Sequence, residues 1–387
     1  MADREWVLLN PGPANTSTSV RHALVMPDLG HREREVLDLL RRCRDRLVRL
    51  AAPASPPADT AATSGDPVRS SDWSAVLFTG SGTAAVEAAV SSVVPRERSL
   101  LVVNNGVYGD RMLRIARAHA LHTVVLNYDH LTPVAPEDVE HVLHDYPDVS
   151  HVALVHHETT TGLLNPVADV VGVAARQGRR VLVDAMSSLF GEPLDLTQDG
   201  LDFVIAGASA GLQAVAGVSF VLGRRPALEA LVGRPPRSVY LDLVSQWTQQ
   251  EADDTLFTPA VQVLHAMEQA LAELADEGVA QRLARYAENA RVLREGLTRL
   301  GLSILVPEGA RSNVLTTFRL PEGLPYDSLH DAMKRRGYVI DAGQGDVREH
   351  AFRVSNMGTL TPADMRKVAA AFAASLEELG VAAAAGR

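Results

Sequence analysis

The chain has 387 residues, of which 46% are hydrophobic, and it carries a net charge of −10. This length leaves room for two or three domains with a large core. The acidic balance and the lack of a basic, aromatic-interleaved patch argue against a nucleic-acid partner, and no run approaches the roughly 18 apolar residues of a membrane span. We therefore expect a cytoplasmic protein. The single cysteine, Cys43, excludes an internal disulfide framework and a Cys-based zinc site, and we predict no metal.

An amphipathic helix is predicted early in the chain. Apolar residues recur at helical spacing over 33–50, after an N-terminal segment that we assign to 1–20. The next stretch, 51–67, is rich in Pro, Ala and Ser, which predicts a surface loop.

Seven apolar, β-branched runs follow, as is typical of strands buried on both faces. They cover 74–80, 99–105, 122–128, 151–157, 179–185, 202–207 and 217–223. Helical patterns lie between many of them, at 83–94, 108–120, 136–146 and 168–178. This alternation predicts an α/β fold with a mostly parallel, seven-stranded sheet, whose ligands bind at the carboxyl ends of the strands.

The last third of the chain has a different pattern. A long helical stretch is predicted over 259–299, and a final helix over 362–379. Between them, strands are predicted at 302–307, 312–320, 338–343 and 351–356, with a helix at 326–337. We assign a large domain to 21–270 and a smaller α+β domain to 271–387.

Two of the strand ends carry groups suited to a flat, phosphorylated ligand. Ser81, Gly82 and Thr83 open a helix, where backbone N–H groups can bind an anion. Tyr108 opens the next helix and could stack on a ring. Each feature alone fits a helix cap or ordinary core packing as well.

Two further strand ends add polar groups. The loop 159–161 holds three threonines, which could donate hydroxyls or simply stabilise a turn. Asp184 directly follows a buried strand, and a buried carboxylate is costly unless a cation pairs with it. An anion cradle, a ring stacker, a hydroxyl and a carboxylate together suit pyridoxal phosphate, whose pyridinium nitrogen binds an acidic partner.

The motifs that carry this chemistry resemble those of the class V, fold-type I pyridoxal-phosphate aminotransferases. The segments are "LFTGSGTAAVEAAV", "NNGVYGDR", "HHETTTGLLNP" and "VDAMSSLFG", and the resemblance runs over nearly the full length. The last two resemble most the 2-aminoethylphosphonate–pyruvate transaminases within that family.

The resemblance implies roles for particular residues. Ser81, Gly82 and Thr83 would bind the phosphate, Tyr108 would stack on the ring, Thr160 would contact the ring O3′ and Asp184 would pair with the pyridinium.

The resemblance also implies roles outside the strand ends. Thr258 would reach the phosphate in the neighbouring subunit of a homodimer, and Arg353 would bind a substrate carboxylate. Arg32 is a candidate for binding a phosphonate, although it could equally be a solvated arginine at the start of a helix.

One segment departs from the family at four positions. The family reads Ser-Ala-Asn-Lys before a turn with Gly and Pro, and the lysine forms the Schiff base with the cofactor. In register from Asp202, the lysine position is Ala210 and the asparagine position is Ser209, while Ala214 and Ala216 replace Gly and Pro.

No other lysine is expected to substitute for the missing one. The chain has two lysines, Lys334 and Lys367, and both lie on predicted helices of the small domain. Either a lysine was changed to alanine deliberately to trap a cofactor–substrate adduct, or this is a natural homologue without the lysine.

The resemblance implies transfer of the amino group of 2-aminoethylphosphonate to pyruvate, or the reverse, with the present chain inactive or severely impaired. Two alternatives remain open. One is an alanine–glyoxylate or serine–pyruvate type aminotransferase, and the other is a lysine-less cofactor-binding protein without transaminase activity.

Overall fold

The large lobe is built around one seven-stranded sheet. The computed structural model describes residues 6–52 and 72–381, so most of the predicted loop at 51–67 lies outside the described residues. The strands in chain order are β1 (Trp73–Thr79), β2 (Ser99–Asn104), β3 (His122–Asn127), β4 (Val149–Val155), β5 (Arg180–Asp184), β6 (Leu201–Gly207) and β7 (Val218–Arg224). All seven lie within two residues of their predicted bounds.

The spatial order of this sheet is β1-β7-β6-β5-β4-β2-β3. Strand β7 runs antiparallel to both neighbours, and every other pair is parallel. The expected mostly parallel sheet is therefore confirmed. Its parallel strands bring several strand ends to one edge, where the loops after β4, β5 and β6 meet.

Helices cover both faces of the sheet. Their bounds are α1 (Thr18–His22), α2 (Arg34–Ala51), α3 (Gly82–Val93), α4 (Val107–Ala118), α5 (Pro136–Asp145), α6 (Val167–Arg176), α7 (Arg225–Glu229), α8 (Leu243–Glu251) and α9 (Val261–Glu277). Apolar residues of α2, α5, α6 and α9 form one core, and those of α3, α4, α7 and α8 form the other. Six of the seven strands are largely buried and need continuous apolar sequence, which is the pattern that predicted them, whereas the edge strand β3 is only partly buried.

The small lobe has its own core. Strands β8 (Leu315–Arg319), β9 (Asp341–Ala342) and β10 (Ala351–Ser355) form an antiparallel sheet in the order β8-β10-β9. Helices α10 (Val279–Thr298), α11 (Tyr326–Arg335) and α12 (Pro362–Glu378) cover it. Residues Val7–Leu8 pair with Tyr338–Val339, so the start of the described chain belongs with this lobe. The domain boundaries given above stay a prediction.

Three predicted elements differ from the structure. The strand predicted at 338–343 is two short strands, Tyr338–Val339 and Asp341–Ala342, which pair in different sheets. The single helix predicted over 259–299 is two helices, because Gly278 has φ of +86°, which ends α9 and starts α10. The strand predicted at 302–307 forms only one bridge, between Ile304 and Phe318. Pro307 ends this short run, which leaves it too short for a regular ladder.

None of the helices within the described residues is long and apolar enough to cross a membrane.

Candidate active site

A cavity of about 180 Å³ lies at the carboxyl edge of the sheet, and we call it the strand-end pocket. It is lined by residues at or after the ends of β1, β2, β4, β5 and β6 and by the start of β7, together with Pro11 and Gly12. Six residues predicted from the sequence line it: Ser81, Gly82, Tyr108, Asp184, Ser209 and Ala210. A second cavity, of about 200 Å³, lies near Arg96 and Arg237 and holds none of the predicted groups.

Asp184 is the buried acid of the strand-end pocket. It closes β5, is 4% exposed, and one carboxylate oxygen accepts a hydrogen bond from the Met186 N–H at 2.9 Å. No described residue donates to the other oxygen. Burial raises the pKa of Asp184 to about 6, Glu158 adds to the rise, and Arg111 opposes it. A cationic N–H donor in the pocket would satisfy this carboxylate.

Tyr108 is held at the start of α4 by a residue that the sequence reasoning missed. The Glu158 carboxylate accepts a hydrogen bond from the Tyr108 N–H at 3.2 Å, at the N-terminal end of the helix dipole. Gly106 must lack a side chain, because a Cβ there would lie 2.3 Å from the Glu158 side chain. Glu158 is fully buried, and burial raises its pKa. It therefore fixes the turn that presents Tyr108.

A second missed residue, Arg111, connects two predicted ones. Its guanidinium lies 4.7 Å from the centroid of the Tyr108 ring and donates to the Thr83 hydroxyl at 3.3 Å. Thr83 therefore faces Arg111, and it does not line the pocket. The spacing of three residues from Tyr108 on a helix could have predicted this contact.

The structure places the predicted hydroxyl of Thr160 on Glu158. This hydroxyl donates to the Glu158 carboxylate at 2.6 Å and accepts from the Val107 N–H at 3.0 Å. The neighbouring Thr159 lines the strand-end pocket, and the contact of Thr160 with the ring O3′ stays a prediction. The local turn holds Thr160 on Glu158 because both groups are buried and need partners.

His157 was also missed and lines the strand-end pocket. Its Nδ1 lies 2.9 Å from the Ser187 hydroxyl, and its buried Nε2 has no hydrogen-bond partner among the described residues. Burial lowers the pKa of His157 to about 3, so the ring is neutral at neutral pH. Its position two residues past β4, at a ligand-binding edge, was the available signal.

The loop after β6 supplies the wall at Ala210, which is 5% exposed. Its backbone is fixed from outside: the Ala14 N–H donates to the Ser209 carbonyl at 3.0 Å, and the buried Arg282 donates to the Gly211 carbonyl at 3.1 Å. Gln213 donates to the Tyr286 hydroxyl at 2.5 Å. These main-chain contacts hold the loop, and the Ala210 methyl packs in a small buried cluster that includes Ala14 and Tyr286.

Neither lysine of the chain lines the strand-end pocket. Lys334 lies 5.2 Å from the centroid of the Trp6 ring, and Lys367 pairs with Asp364 at 3.0 Å on α12. No primary amine of a side chain therefore reaches Ala210.

Two other predicted residues lie outside the pocket. Thr258 lines a small neighbouring cavity beside Thr79 and Val218. Arg32 is exposed and close enough to Asp254 to help lower the pKa of that carboxyl. The role of Thr258 in the neighbouring subunit and the role of Arg32 in binding a phosphonate stay predictions.

Arg353 lies directly behind the pocket wall. Its Nη1 donates to the Thr159 carbonyl at 2.8 Å and its Nε to the Ala342 carbonyl at 2.7 Å. Its Nη2 lies 3.4 Å from Asp341, a partner that sequence reasoning did not identify. The guanidinium is placed beside the pocket but is 4% exposed.

Comparison with known proteins agrees with this arrangement. The profile of the family Aminotransferase class-V matches residues 68–360. A 2-aminoethylphosphonate–pyruvate transaminase from Syntrophobacter fumaroxidans is 38% identical over 98% of each chain, and one from Aeromonas hydrophila is 37% identical over 96% of this chain and 95% of its own. The crystal structure of a subgroup IV aspartate aminotransferase from Thermus thermophilus superposes with a TM-score of 0.84, at 29% identity, over 97% of this chain and 99% of that one. The chain belongs to the class-V aminotransferase family.

Proposed function

We propose that this chain binds pyridoxal phosphate in the strand-end pocket and takes 2-aminoethylphosphonate and pyruvate as its amino donor and acceptor, or their products in the reverse direction. The main support for this cofactor is the buried Asp184 carboxylate. One of its two oxygens accepts no hydrogen bond from any described residue. The substrate pair is supported by the names of relatives that are 34–38% identical over nearly the full chain.

The residues present fit the non-covalent contacts of the cofactor. Asp184 would keep the ring nitrogen protonated, and Tyr108 would contact the ring. Ser81 and Gly82 begin α3, where N–H groups and the helix dipole favour a phosphate. When bound, pyridoxal phosphate supplies an electron sink for the pair left at the substrate carbon after deprotonation.

The side chain at 210 decides how fast the chain works. In the family a lysine at this position attaches the cofactor and moves the proton at the substrate carbon. Ala210 can do neither, and His157, the imidazole in the wall, has a pKa of about 3 and a buried Nε2. Loss of a positioned base costs about 10²–10⁴-fold in rate. We therefore propose that the chain as written binds cofactor and substrates but turns them over slowly.

A donor panel tests the substrate pair. Ala210→Lys protein loaded with pyridoxal phosphate is given 2-aminoethylphosphonate, alanine or serine, each with pyruvate or glyoxylate as acceptor. We expect 2-aminoethylphosphonate with pyruvate to have the highest kcat/KM. A preference for alanine with glyoxylate, or serine with pyruvate, would instead assign the chain to that type of aminotransferase.

The second candidate is a cofactor-binding protein without transaminase activity, which Ala210 favours. Under this reading, Ala210→Lys protein binds pyridoxal phosphate, shows the absorbance of a lysine adduct and transfers no amine with any pair of the panel. The codon at 210 in the source genome separates a deliberate change from a natural one.

We also propose a homodimer that shares its active sites, with Thr258 completing the phosphate contacts of the partner. Exposed apolar residues lie near this segment, among them Val239, which is 81% exposed, and Tyr240, which is 41% exposed and packs on Phe257. Light scattering of the cofactor-loaded protein should give the mass of two chains. A one-chain mass with cofactor bound tightly would contradict this.

A further inference from the structure

The guanidinium of Arg353 is largely used within the chain itself. A guanidinium has five N–H donors. In Arg353 one is directed at Ala342, one at Thr159 and one at the carboxylate of Asp341. An anionic group of a substrate that binds Arg353 would therefore meet an arginine that is already paired with the Asp341 carboxylate.

Asp341 is placed to keep that contact. It lies in β9, directly opposite Arg353 of β10 in the antiparallel register. Its other oxygen accepts a hydrogen bond from the Asn10 side chain, which fixes the carboxylate from the far side. Asp341 is half-buried, and the Arg353 charge opposes the rise in its pKa that burial causes.

No described lysine adds positive charge at this place, and a second acid lies near. Burial lowers the pKa of Arg353, and the nearby charges of Asp341 and Glu158 oppose that fall. The pair formed by Arg353 and Asp341 is close to neutral in net charge. An arginine that only awaited a carboxylate would instead present a full positive charge.

We propose that Asp341 is a specificity-determining residue of this site: it acts as an internal carboxylate that competes with the anionic end of a substrate for Arg353. The inference rests on the proposed function together with the role that the resemblance implies for Arg353, which is to bind a carboxylate of the substrate. It implies weakened binding of every anionic ligand and relatively favoured binding of a neutral polar end, such as a carboxamide, which can accept from Arg353 and donate to Asp341.

The penalty depends on the charge of the ligand. The interaction of Asp341 with a bound anion scales with that anion's charge, so a phosphonate dianion is penalised more than a monocarboxylate. A neutral group of the same shape is not penalised. Removal of the Asp341 charge should therefore tighten the binding of a phosphonate dianion most, tighten the binding of a monocarboxylate less, and leave the binding of a neutral group unchanged.

The test is a titration of cofactor-loaded protein with three size-matched probes, ethylphosphonate, propionate and propionamide, at a pH where the phosphonate is a dianion. Dissociation constants come from ligand-observed NMR, which needs no turnover. The variant is Asp341→Asn, whose carbonyl can still accept from Asn10. The matched control is Asp199→Asn, which removes the same charge from a side chain that is 89% exposed.

We expect Asp341→Asn to tighten propionate about threefold to tenfold and ethylphosphonate by more, with propionamide unchanged. The gain should vanish in an Arg353→Gln background, and Asp199→Asn should bind as the parent does. Equal or weaker anion binding in Asp341→Asn, a gain that survives Arg353→Gln, or no anion binding to either protein would overturn the inference.

Failure of this inference can be separated from failure of the proposed function. An active Ala210→Lys protein together with unchanged anion affinity in Asp341→Asn refutes the inference alone. Tightened anion binding together with an Ala210→Lys protein that transfers no amine refutes only the proposed transaminase activity.

Discussion

Asp184 and the loop from Ala208 to Gly217 face the same pocket but are built in opposite ways. The Asp184 wall contains buried charge, including Glu158, and each acid is held by N–H donors of the chain. The loop wall is lined by small residues such as Ala210 and Ala216. Buried charge lowers stability unless a partner compensates it, whereas a small apolar wall costs nothing. The Asp184 wall is therefore suited to binding a ligand, whereas the loop wall lacks a side chain that could react with that ligand.

The largest effect is expected at the loop wall. Ala210→Lys should raise alanine formation from 2-aminoethylphosphonate and pyruvate by about 10²–10⁴-fold, because it supplies a positioned base. Ala210→Met is the control, since it fills similar space without an amine. An equal gain in rate in the methionine variant, or no gain in a lysine variant that binds cofactor, would show that the rate is not limited by the missing amine at position 210.

The next prediction concerns how much the buried Asp184 carboxylate lowers the free energy of unfolding. Burial raises the pKa of Asp184 to about 6, above the value of about 3.9 in an unfolded chain. The folded state then binds the proton more tightly, so the stability contribution of this group is greatest below about pH 4 and falls as the pH rises to about 6. In cofactor-free protein at pH 7, Asp184→Asn should be more stable by about 2–3 kcal/mol.

Urea unfolding of both proteins between pH 4 and 8, without cofactor, measures this difference. The carboxamide introduced by Asp184→Asn can still accept from the Met186 N–H, so the local turn stays intact. Stability curves that run parallel over this range would mean that Asp184 is not costly in the free protein.

The same substitution should act in the opposite direction on ligand binding. Without the carboxylate, Asp184→Asn should lower the affinity for pyridoxal phosphate about 10–100-fold, which is the usual worth of a charge-assisted hydrogen bond. Fluorescence titration with the cofactor measures it, and Asp199→Asn, a surface acid, serves as control. Unchanged affinity would remove the main support for the cofactor proposal.

The smallest predicted effect concerns the contact between Gly106 and Glu158, which holds the turn before Tyr108. A Cβ at Gly106 would overlap the buried Glu158 side chain, so Gly106→Ala should destabilise the protein by about 1–2 kcal/mol. Gly309→Ala is the matched control, because nothing lies within 4 Å of its new Cβ, and its change should stay within about 0.5 kcal/mol. Equal stability of the two variants would mean that the Glu158 contact is loose.

Sequence patterns predicted most of the large lobe because most of its strands are buried on both faces and read as continuous apolar runs. Parallel strand ends then bring Ser81, Tyr108 and Asp184 together without further information. The run at 302–307 could not be separated from a strand, since a short apolar run fits a strand and an irregular segment equally.

Side-chain direction within loops was harder to predict. Thr159 and Thr160 are neighbours of the same type, and only the structure shows that the Thr160 hydroxyl donates to the buried Glu158 carboxylate. The contact of Asp341 with Arg353 depends on the pairing of two strands in the small lobe. The register of these two strands cannot be predicted from the periodicity or the composition of the sequence.

The anchoring of the Ala210 loop has a consequence for the engineering of this protein. Arg282, which is 1% exposed, pairs with Glu277 and holds the loop carbonyls from behind, and Gln213 also donates to the Gly358 carbonyl at 2.8 Å. The main chain at 210 is thereby specified by residues remote in sequence. A longer side chain introduced at 210 would therefore start from the same backbone position, and it would have to extend into the strand-end pocket from the small cluster in which the Ala210 methyl now packs.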